Sequence, residues 1–249
     1  NKNILITGAY GNIGKYLCEI YLKYNSHIFI NGKDNNKLIK LKKNLSKKYP
    51  NTKITLSCFD VISETKVENF FKKNSIDIVI NNAHSSKMGD INNLTKNDFL
   101  NTFEINVFGY FNIAKQWSKY CDHKKNKCLI NLSSIYGMRS PKQFIYDKKN
   151  LNSISYGSSK AAIFQLTKYL SVNLLDKKIR VNTLVLGCFP TTKYKLENPK
   201  IVKKLISFIP EKRFGKKSDL DGPIVFLSTS MSSYVSGASI LVDGGWTVW

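Results

Sequence analysis

Near the start of the chain stands Asn3-Ile4-Leu5-Ile6-Thr7-Gly8-Ala9-Tyr10-Gly11-Asn12-Ile13-Gly14-Lys15. An unbroken apolar run gives way to closely spaced glycines and then to a stretch of helical periodicity. The apolar run predicts a strand over 2–7, buried on both faces, and the periodic stretch predicts a helix over 15–24. Glycines between the two let the chain turn tightly, and the helix start aims unpaired backbone N–H groups at the turn. Strand, glycine turn and helix in that order form a phosphate-binding element. Thr7, Gly8, Tyr10, Gly11, Asn12, Ile13 and Gly14 are therefore expected to hold the pyrophosphate of a dinucleotide.

Working outward, apolar runs at 27–31, 53–60, 76–81, 127–133, 180–187 and 239–243 predict six more strands, most of them Ile-, Val- and Leu-rich. Helical periodicity falls between them at 35–48, 63–74, 97–120, 156–175 and 218–228, and Thr95 with Asp98 reads as a capping box. Strand and helix alternate from end to end with no linker, composition shift or repeat. The expected fold is α/β: a single-domain Rossmann fold over 1–249, with a doubly wound seven-stranded parallel sheet flanked by helices.

Composition excludes several classes. With 42% apolar and 12% aromatic residues, the chain has a core to bury despite a net charge of +22. No apolar run approaches the roughly 18 residues needed to cross a bilayer, so no membrane partner is expected. The cationic excess is almost wholly lysine, with only Arg139, Arg180 and Arg213 as arginine, and it is scattered over every segment. Nucleic-acid readers concentrate Arg and stacking aromatics, so this charge reads as a solvated coat with no nucleic-acid partner. Five cysteines without a C-x-x-C pattern suggest neither a disulfide framework nor a metal site. With no leader pattern at the start of the chain, the expected location is the cytoplasm.

Tyr156 and Lys160 are four apart at the start of a predicted helix and share one face. A phenol is a poor base at neutral pH, and a neighbouring ammonium that stabilises the phenolate makes it usable for proton transfer. Ordered along the chain with this pair are Thr7, Gly8 and Gly14; Asp60-Val61; Asn81-Asn82-Ala83; Asn106; Asn131-Leu132-Ser133-Ser134; Arg180-Val181-Asn182; Gly187; Thr191; and Val242-Asp243-Gly244-Gly245. In this set the sequence resembles the single-domain short-chain dehydrogenase/reductase family over essentially its whole length.

The resemblance implies an NAD(P)(H)-dependent oxidoreductase that needs no metal. It implies Tyr156 as general acid/base, Ser134 as hydrogen-bond donor to the reacting oxygen, Lys160 on the ribose and tuning Tyr156, and Asn106 holding a water chain. Asp60, Val61, Asn82, Ala83, Gly187 and Thr191 would contact the cofactor. After the second strand, Gly32 stands where a carboxylate often binds the ribose, and Lys33 follows; this favours NADP(H) over NAD(H). Members usually assemble as dimers or tetramers, and Trp246 and Trp249 suit such an interface or packing on their own subunit.

Departures from the pattern bear on the pocket. Asn12 follows Gly11 where the family usually has glycine, and asparagine tolerates left-handed backbone well enough to stand in for it. His84 replaces the last glycine of N-N-A-G, and Leu186 the proline before Gly187. The Ser134–Tyr156 spacing is longer than usual, placing an inserted loop at 139–152, and a lid is expected at 188–217. With Tyr136, Phe144, Tyr146 and Phe189, His84 is expected to line the substrate pocket. The inserted loop is similar to that of flagellin-modification oxidoreductases, which implies a sugar, sugar-phosphate or nucleotide-sugar substrate. Nine Lys/Arg in the 27 residues from Thr191 to Lys217 suit an anionic small molecule. An acidic carrier protein, as in 3-oxoacyl reductases, fits the same charge, and a catalytically idle cofactor-binding regulator is a third reading.

Overall fold

The structure, a computed structural model, describes residues 2–123, 127–146 and 151–248. Seven parallel strands form one sheet: β1 (Asn3–Ile6), β2 (His27–Gly32), β3 (Ile54–Cys58), β4 (Ile78–Asn81), β5 (Lys127–Ser134), β6 (Ile179–Leu186) and β7 (Ser239–Val242). Their spatial order is β3-β2-β1-β4-β5-β6-β7, which places a crossover reversal between β1 and β4. Ligands of doubly wound sheets bind at this reversal, outside the carboxyl ends of the strands. Ile4 pairs with Ile28 on one side and Ile78 on the other, and every residue of β5 is buried.

The helices are α1 (Asn12–Lys23), α2 (Asn35–Lys48), α3 (Glu64–Lys73), α4 (Lys96–Phe103), α5 (Gly109–Tyr120), α6 (Ile154–Asn173), α7 (Thr192–Glu197), α8 (Pro199–Phe208) and α9 (Asp221–Ser228). The apolar faces of α1, α2 and α9 bury Leu17, Ile20, Leu38 and Ile224 against one side of the sheet. Opposite them, α3, α5 and α6 bury Phe71, Trp117 and Leu170. None of the described helices is long and apolar enough to cross a membrane.

Sequence periodicity gives one helix over 97–120; in the structure it is broken. A π-helical turn, Glu104–Phe108, sits between α4 and α5 and carries Asn106 inward. Such turns insert an extra residue without ending the helix, so the apolar periodicity passes through undisturbed. The Thr95–Asp98 capping box is present, Asp98 N–H donating to Thr95 Oγ1 at 3.2 Å and Thr95 N–H to Asp98 Oδ2 at 3.1 Å. α1 starts three residues before the predicted boundary, because the glycine turn itself leads into the first helical turn.

A smaller apolar cluster lies over the carboxyl edge of the sheet. Ile201 and Leu205 of α8 pack there with Ile209, Phe214, Ile135, Tyr136, Ile145 and Trp246. Trp246 thus packs within its own chain, whereas Trp249 and residues 147–150 of the inserted loop lie outside the described residues.

Candidate active site

A cleft of about 440 Å³ opens at the carboxyl ends of β1, β2, β4, β5 and β6. Gly8, Tyr10, Gly11, Asn12 and Ile13 wall one part, with Lys33, Asp60 and Val61. Asn82, Ala83, His84, Ser134, Tyr156, Lys160, Gly187 and Phe189 are among those lining the rest.

Ser134 ends β5, and its Oγ accepts the Tyr136 N–H at 3.2 Å, which fixes the hydroxyl at the strand tip. The first turn of α6 is capped by Ser153, and Tyr156 and Lys160 follow on the face turned to that tip. The Tyr156 phenol lies near enough to Ser134 for the serine hydroxyl to favour its ionised form. Behind it Lys160 is only 3% exposed; its Nζ donates to the Leu132 carbonyl at 3.0 Å and stands 5.8 Å from the centre of the Tyr156 ring. The Tyr110 ring covers the same ammonium at 5.4 Å.

Burial pushes the Tyr156 phenol up, with the Ser134 hydroxyl pulling the other way. Burial also takes Lys160 down to about 7. The expected lowering of Tyr156 by the neighbouring ammonium is absent within the protein itself, where burial sets the direction and only Ser134 opposes it. Both groups lose water, and the ammonium donates to a backbone carbonyl.

The loop after β4 is clamped at both ends. Thr7 Oγ1 accepts the N–H groups of Asn82 at 2.9 Å and Ala83 at 3.0 Å. Three residues on, Asn106 Oδ1 accepts the Ser85 N–H at 2.7 Å, while its Nδ2 donates to the Ser85 carbonyl at 3.0 Å and Ser159 Oγ at 2.9 Å. Both amide hydrogens of Asn106 are taken, so its side chain acts as a clamp on this loop. Between the clamps His84 opens onto the cleft, its ring edge-on to Tyr156 with centroids 6.4 Å apart. Loss of water to the surrounding walls and then the Lys160 charge push its pKa to about 4, with the Asn82 carbonyl opposing.

A family model described as short chain dehydrogenase matches residues 2–201. The chain belongs to the short-chain dehydrogenase family. As a member it is an NAD(P)-dependent oxidoreductase. A 3-oxoacyl-[acyl-carrier-protein] reductase FabG of Thermotoga maritima is 28% identical over 247 residues, 98% of this chain and 97% of the relative. A 3alpha-hydroxysteroid dehydrogenase of Mediterraneibacter gnavus is 28% identical over 252 residues, 98% of this chain and 96% of the relative. A short chain dehydrogenase from Leptospira borgpetersenii, solved with bound NAD+, superposes with a TM-score of 0.85 at 27% identity, covering 99% of this chain and 93% of that one. A gluconate 5-dehydrogenase from Burkholderia cenocepacia, solved with NADP and tartrate, has a TM-score of 0.87 at 23% identity, covering 100% and 96%; it shows the fold alone.

The cleft fits the dinucleotide of this family. Gly8 has φ +61° and lies so close to the next loop that a Cβ on it would come within 2.8 Å of Ala83 Cα. A Cβ on Gly14 would meet the Gly8 carbonyl at 2.3 Å, so both positions admit only glycine. α1 then begins with no side-chain cap and no acidic residue in its first turn, leaving its leading N–H groups and dipole for phosphate.

Not every expected residue faces the cleft. Thr7 is fully buried and works from behind, on Asn82 and Ala83. Thr191 caps α7 by accepting the Tyr194 N–H at 3.1 Å. Tyr136, Phe144 and Tyr146 pack beneath or beside α8 and do not line the cleft. Tyr136 and Tyr146 join hydroxyl to hydroxyl, Phe144 meets Phe208 edge-on at 5.6 Å, and Lys142 Nζ lies 5.1 Å from the centre of the Phe208 ring. The inserted loop thus packs against α8.

Asn12 does not stand in for glycine through left-handed backbone; among described non-glycine residues only Asn25, Lys178 and Lys212 have positive φ. Asn12 is the first residue of α1, and its Nδ2 donates to the Phe189 carbonyl at 3.0 Å, tying the glycine turn to the segment after β6. The basic segment 191–217 is partly neutralised by acidic side chains: Arg213 pairs with Asp219 at 2.7 Å and with Glu211 at 2.8 Å, and Lys193 lies 3.7 Å from Glu197. Tyr110 and Ser159 were not among the expected site residues. Tyr110 follows Asn106 by four positions, a helical spacing that could have pointed to it.

Proposed function

We propose that the chain passes a hydride between a nicotinamide and a carbinol or carbonyl carbon of a sugar, sugar phosphate or nucleotide sugar, in glycan biosynthesis. The observation that carries the chemistry is the Ser134–Tyr156 hydroxyl pair at the cleft, with Lys160 buried behind it. When bound, the nicotinamide supplies or accepts the hydride. Tyr156 then gives the substrate oxygen its proton in reduction or removes it in oxidation. Ser134 donates a hydrogen bond to that oxygen, and Lys160, while protonated, places positive charge behind the phenol. Asn106 and Thr7 position the loop that carries Asn82 and His84.

Tyr156→Phe tests this reading. Turnover should fall by about 10²–10⁴-fold, while cofactor affinity measured by fluorescence titration stays close to wild type. Retained turnover would overturn the mechanism.

A polar substrate is supported by His84, Ser85 and Ser134, which face the cleft near Tyr156. The rival reading, a 3-oxoacyl-[acyl-carrier-protein] reductase-like activity, is favoured by the Thermotoga relative, which matches nearly end to end. A screen of sugar phosphates, nucleotide sugars and an acetoacetyl thioester, followed by nicotinamide absorbance, separates the two.

NADP(H) is the proposed preference, because Gly32 offers no carboxylate and the exposed Lys33 stands at the cleft. Asp34 is occupied nearby, capping α2 and pairing with Lys37 at 3.2 Å. The unit is proposed to work as one domain with 188–217 as its lid, in the cytoplasm, as a homo-oligomer. Exposed Leu100, Phe111, Tyr169 and Val172 on α4, α5 and α6 support the last point.

A further inference from the structure

We propose that His84 is a substrate-specificity residue: its Nε2 accepts a hydrogen bond from a hydroxyl on the carbon next to the reacting one. The inference rests on the assignment of the reacting position to Ser134 and Tyr156. It sharpens the substrate class to vicinal hydroxy-ketones and diols.

The argument starts from the tautomer. His84 Nδ1 lies 3.3 Å from the Asn82 carbonyl. A carbonyl oxygen only accepts, so Nδ1 carries the ring hydrogen, and in neutral imidazole Nε2 is then an acceptor. The ring stays neutral around neutral pH, since the cleft walls and Lys160 hold its pKa below the ordinary imidazole value. His84 therefore offers a lone pair where a protonated histidine would offer only donors.

Its position is set by the backbone on either side. Thr7 fixes Asn82 and Ala83, and Asn106 holds both the N–H and the carbonyl of Ser85. The backbone that carries the ring is thus held from both sides, and the Nδ1 bond to the Asn82 carbonyl orients the ring itself. The ring lines the same cleft as Ser134 and Tyr156 and lies edge-on to Tyr156. Glycine at this position, the residue of the family pattern, would offer no acceptor.

The chemistry of the candidate substrates then divides. A sugar carbonyl or carbinol has a hydroxyl on the neighbouring carbon, a donor that matches Nε2. A 3-oxoacyl thioester has only C–H on both neighbours of its keto carbon and nothing to donate. An acceptor that a neighbouring hydroxyl fills, and that the second class leaves to water, gives the first class its advantage.

The test compares 2-hydroxycyclohexanone with cyclohexanone, using NADPH and the full-length protein. A neutral hydrogen bond is expected to give wild type a preference of about tenfold in kcat/KM for the hydroxy-ketone. His84→Phe and His84→Gly should bring the ratio near one by losing efficiency on the hydroxy-ketone alone. His84→Gln, which restores an acceptor oxygen, should recover part of it. Equal losses on both ketones overturn the proposal, as does a wild type without preference, turnover of neither ketone included. Acetoacetyl-CoA is the third arm. Its efficient reduction alongside a His84-dependent hydroxyl preference would remove the sugar reading and keep the role of His84. Turnover of sugars with a ratio indifferent to His84 would do the reverse.

Discussion

Lys160→Met should make the cofactor-free protein more stable while removing its activity. Burial takes the Lys160 ammonium from its usual 10.5 to about 7. At 1.36 kcal/mol per pH unit, that displacement corresponds to about 5 kcal/mol against the folded state at pH 6, where lysine is charged in both states. The sign follows from proton counts. The unfolded chain holds this proton up to about pH 10.5, whereas the folded chain releases it near 7. Wild-type stability therefore rises with pH between those values, and at pH 9 the remaining cost is about 2 kcal/mol. Methionine fills similar space with no charge to desolvate. The Leu132 carbonyl stays partnered after the change, because the Tyr110 hydroxyl also donates to it at 3.3 Å. We expect a gain of about 2–5 kcal/mol at pH 6, shrinking as pH rises. Guanidinium unfolding of both proteins at pH 6, 7.5 and 9, at one protein concentration, reads it directly. A variant no more stable than wild type at pH 6, or a gap that does not change with pH, would refute the reasoning.

Three other substitutions probe the frame around the site. Lys33→Ala should weaken NADP+ binding by about three- to tenfold and leave NAD+ binding unchanged; titration of nucleotide fluorescence checks both, and equal losses would remove Lys33 from phosphate recognition. Asn12→Ala deletes the bond to the Phe189 carbonyl and should speed limited proteolysis within 188–217 by about fivefold; an unchanged cleavage rate would mean that this segment is held elsewhere. Burial raises the Asp77 carboxyl, but the hydrogen bonds from Lys127 and the Asn3 N–H hold it below its usual value, so its contribution is lost as pH falls through the acidic range. Asp77→Asn leaves Lys127, whose side chain is 1% exposed, without this counter-charge and should cost about 3–5 kcal/mol in denaturant melts at pH 7.

Gly32 illustrates a limit of reasoning from pattern alone. Exchanging it for Asp looks like a simple way to turn the preference towards NAD. In the structure a Cβ there would lie 2.3 Å from Tyr10 Cε1, so the substitution must first displace that ring. Tyr10 and Gly32 are far apart in sequence, and only the pairing of β1 with β2 brings them together.

The sequence by itself determined the elements and their order. Apolar blocks, helical periodicity and the turn after Ile6 are local signals, because backbone geometry at each position depends on a few neighbouring residues. Ser134, Tyr156 and Lys160 were legible for the same reason: their strand end and helix start are written in adjacent residues. What surrounds them was decided by tertiary structure. The π-turn at Asn106 hides within an unbroken apolar period, and the engagement of its amide with Ser85 and Ser159 joins three separate elements. The raised Tyr156 and lowered Lys160 depend on how much water the packed layers exclude, which no spacing records. Tyr136 and Tyr146 left the expected pocket for the apolar cluster beneath α8 for a similar reason. An aromatic in a loop satisfies either a pocket wall or a core, and only the position of α8 chooses between them.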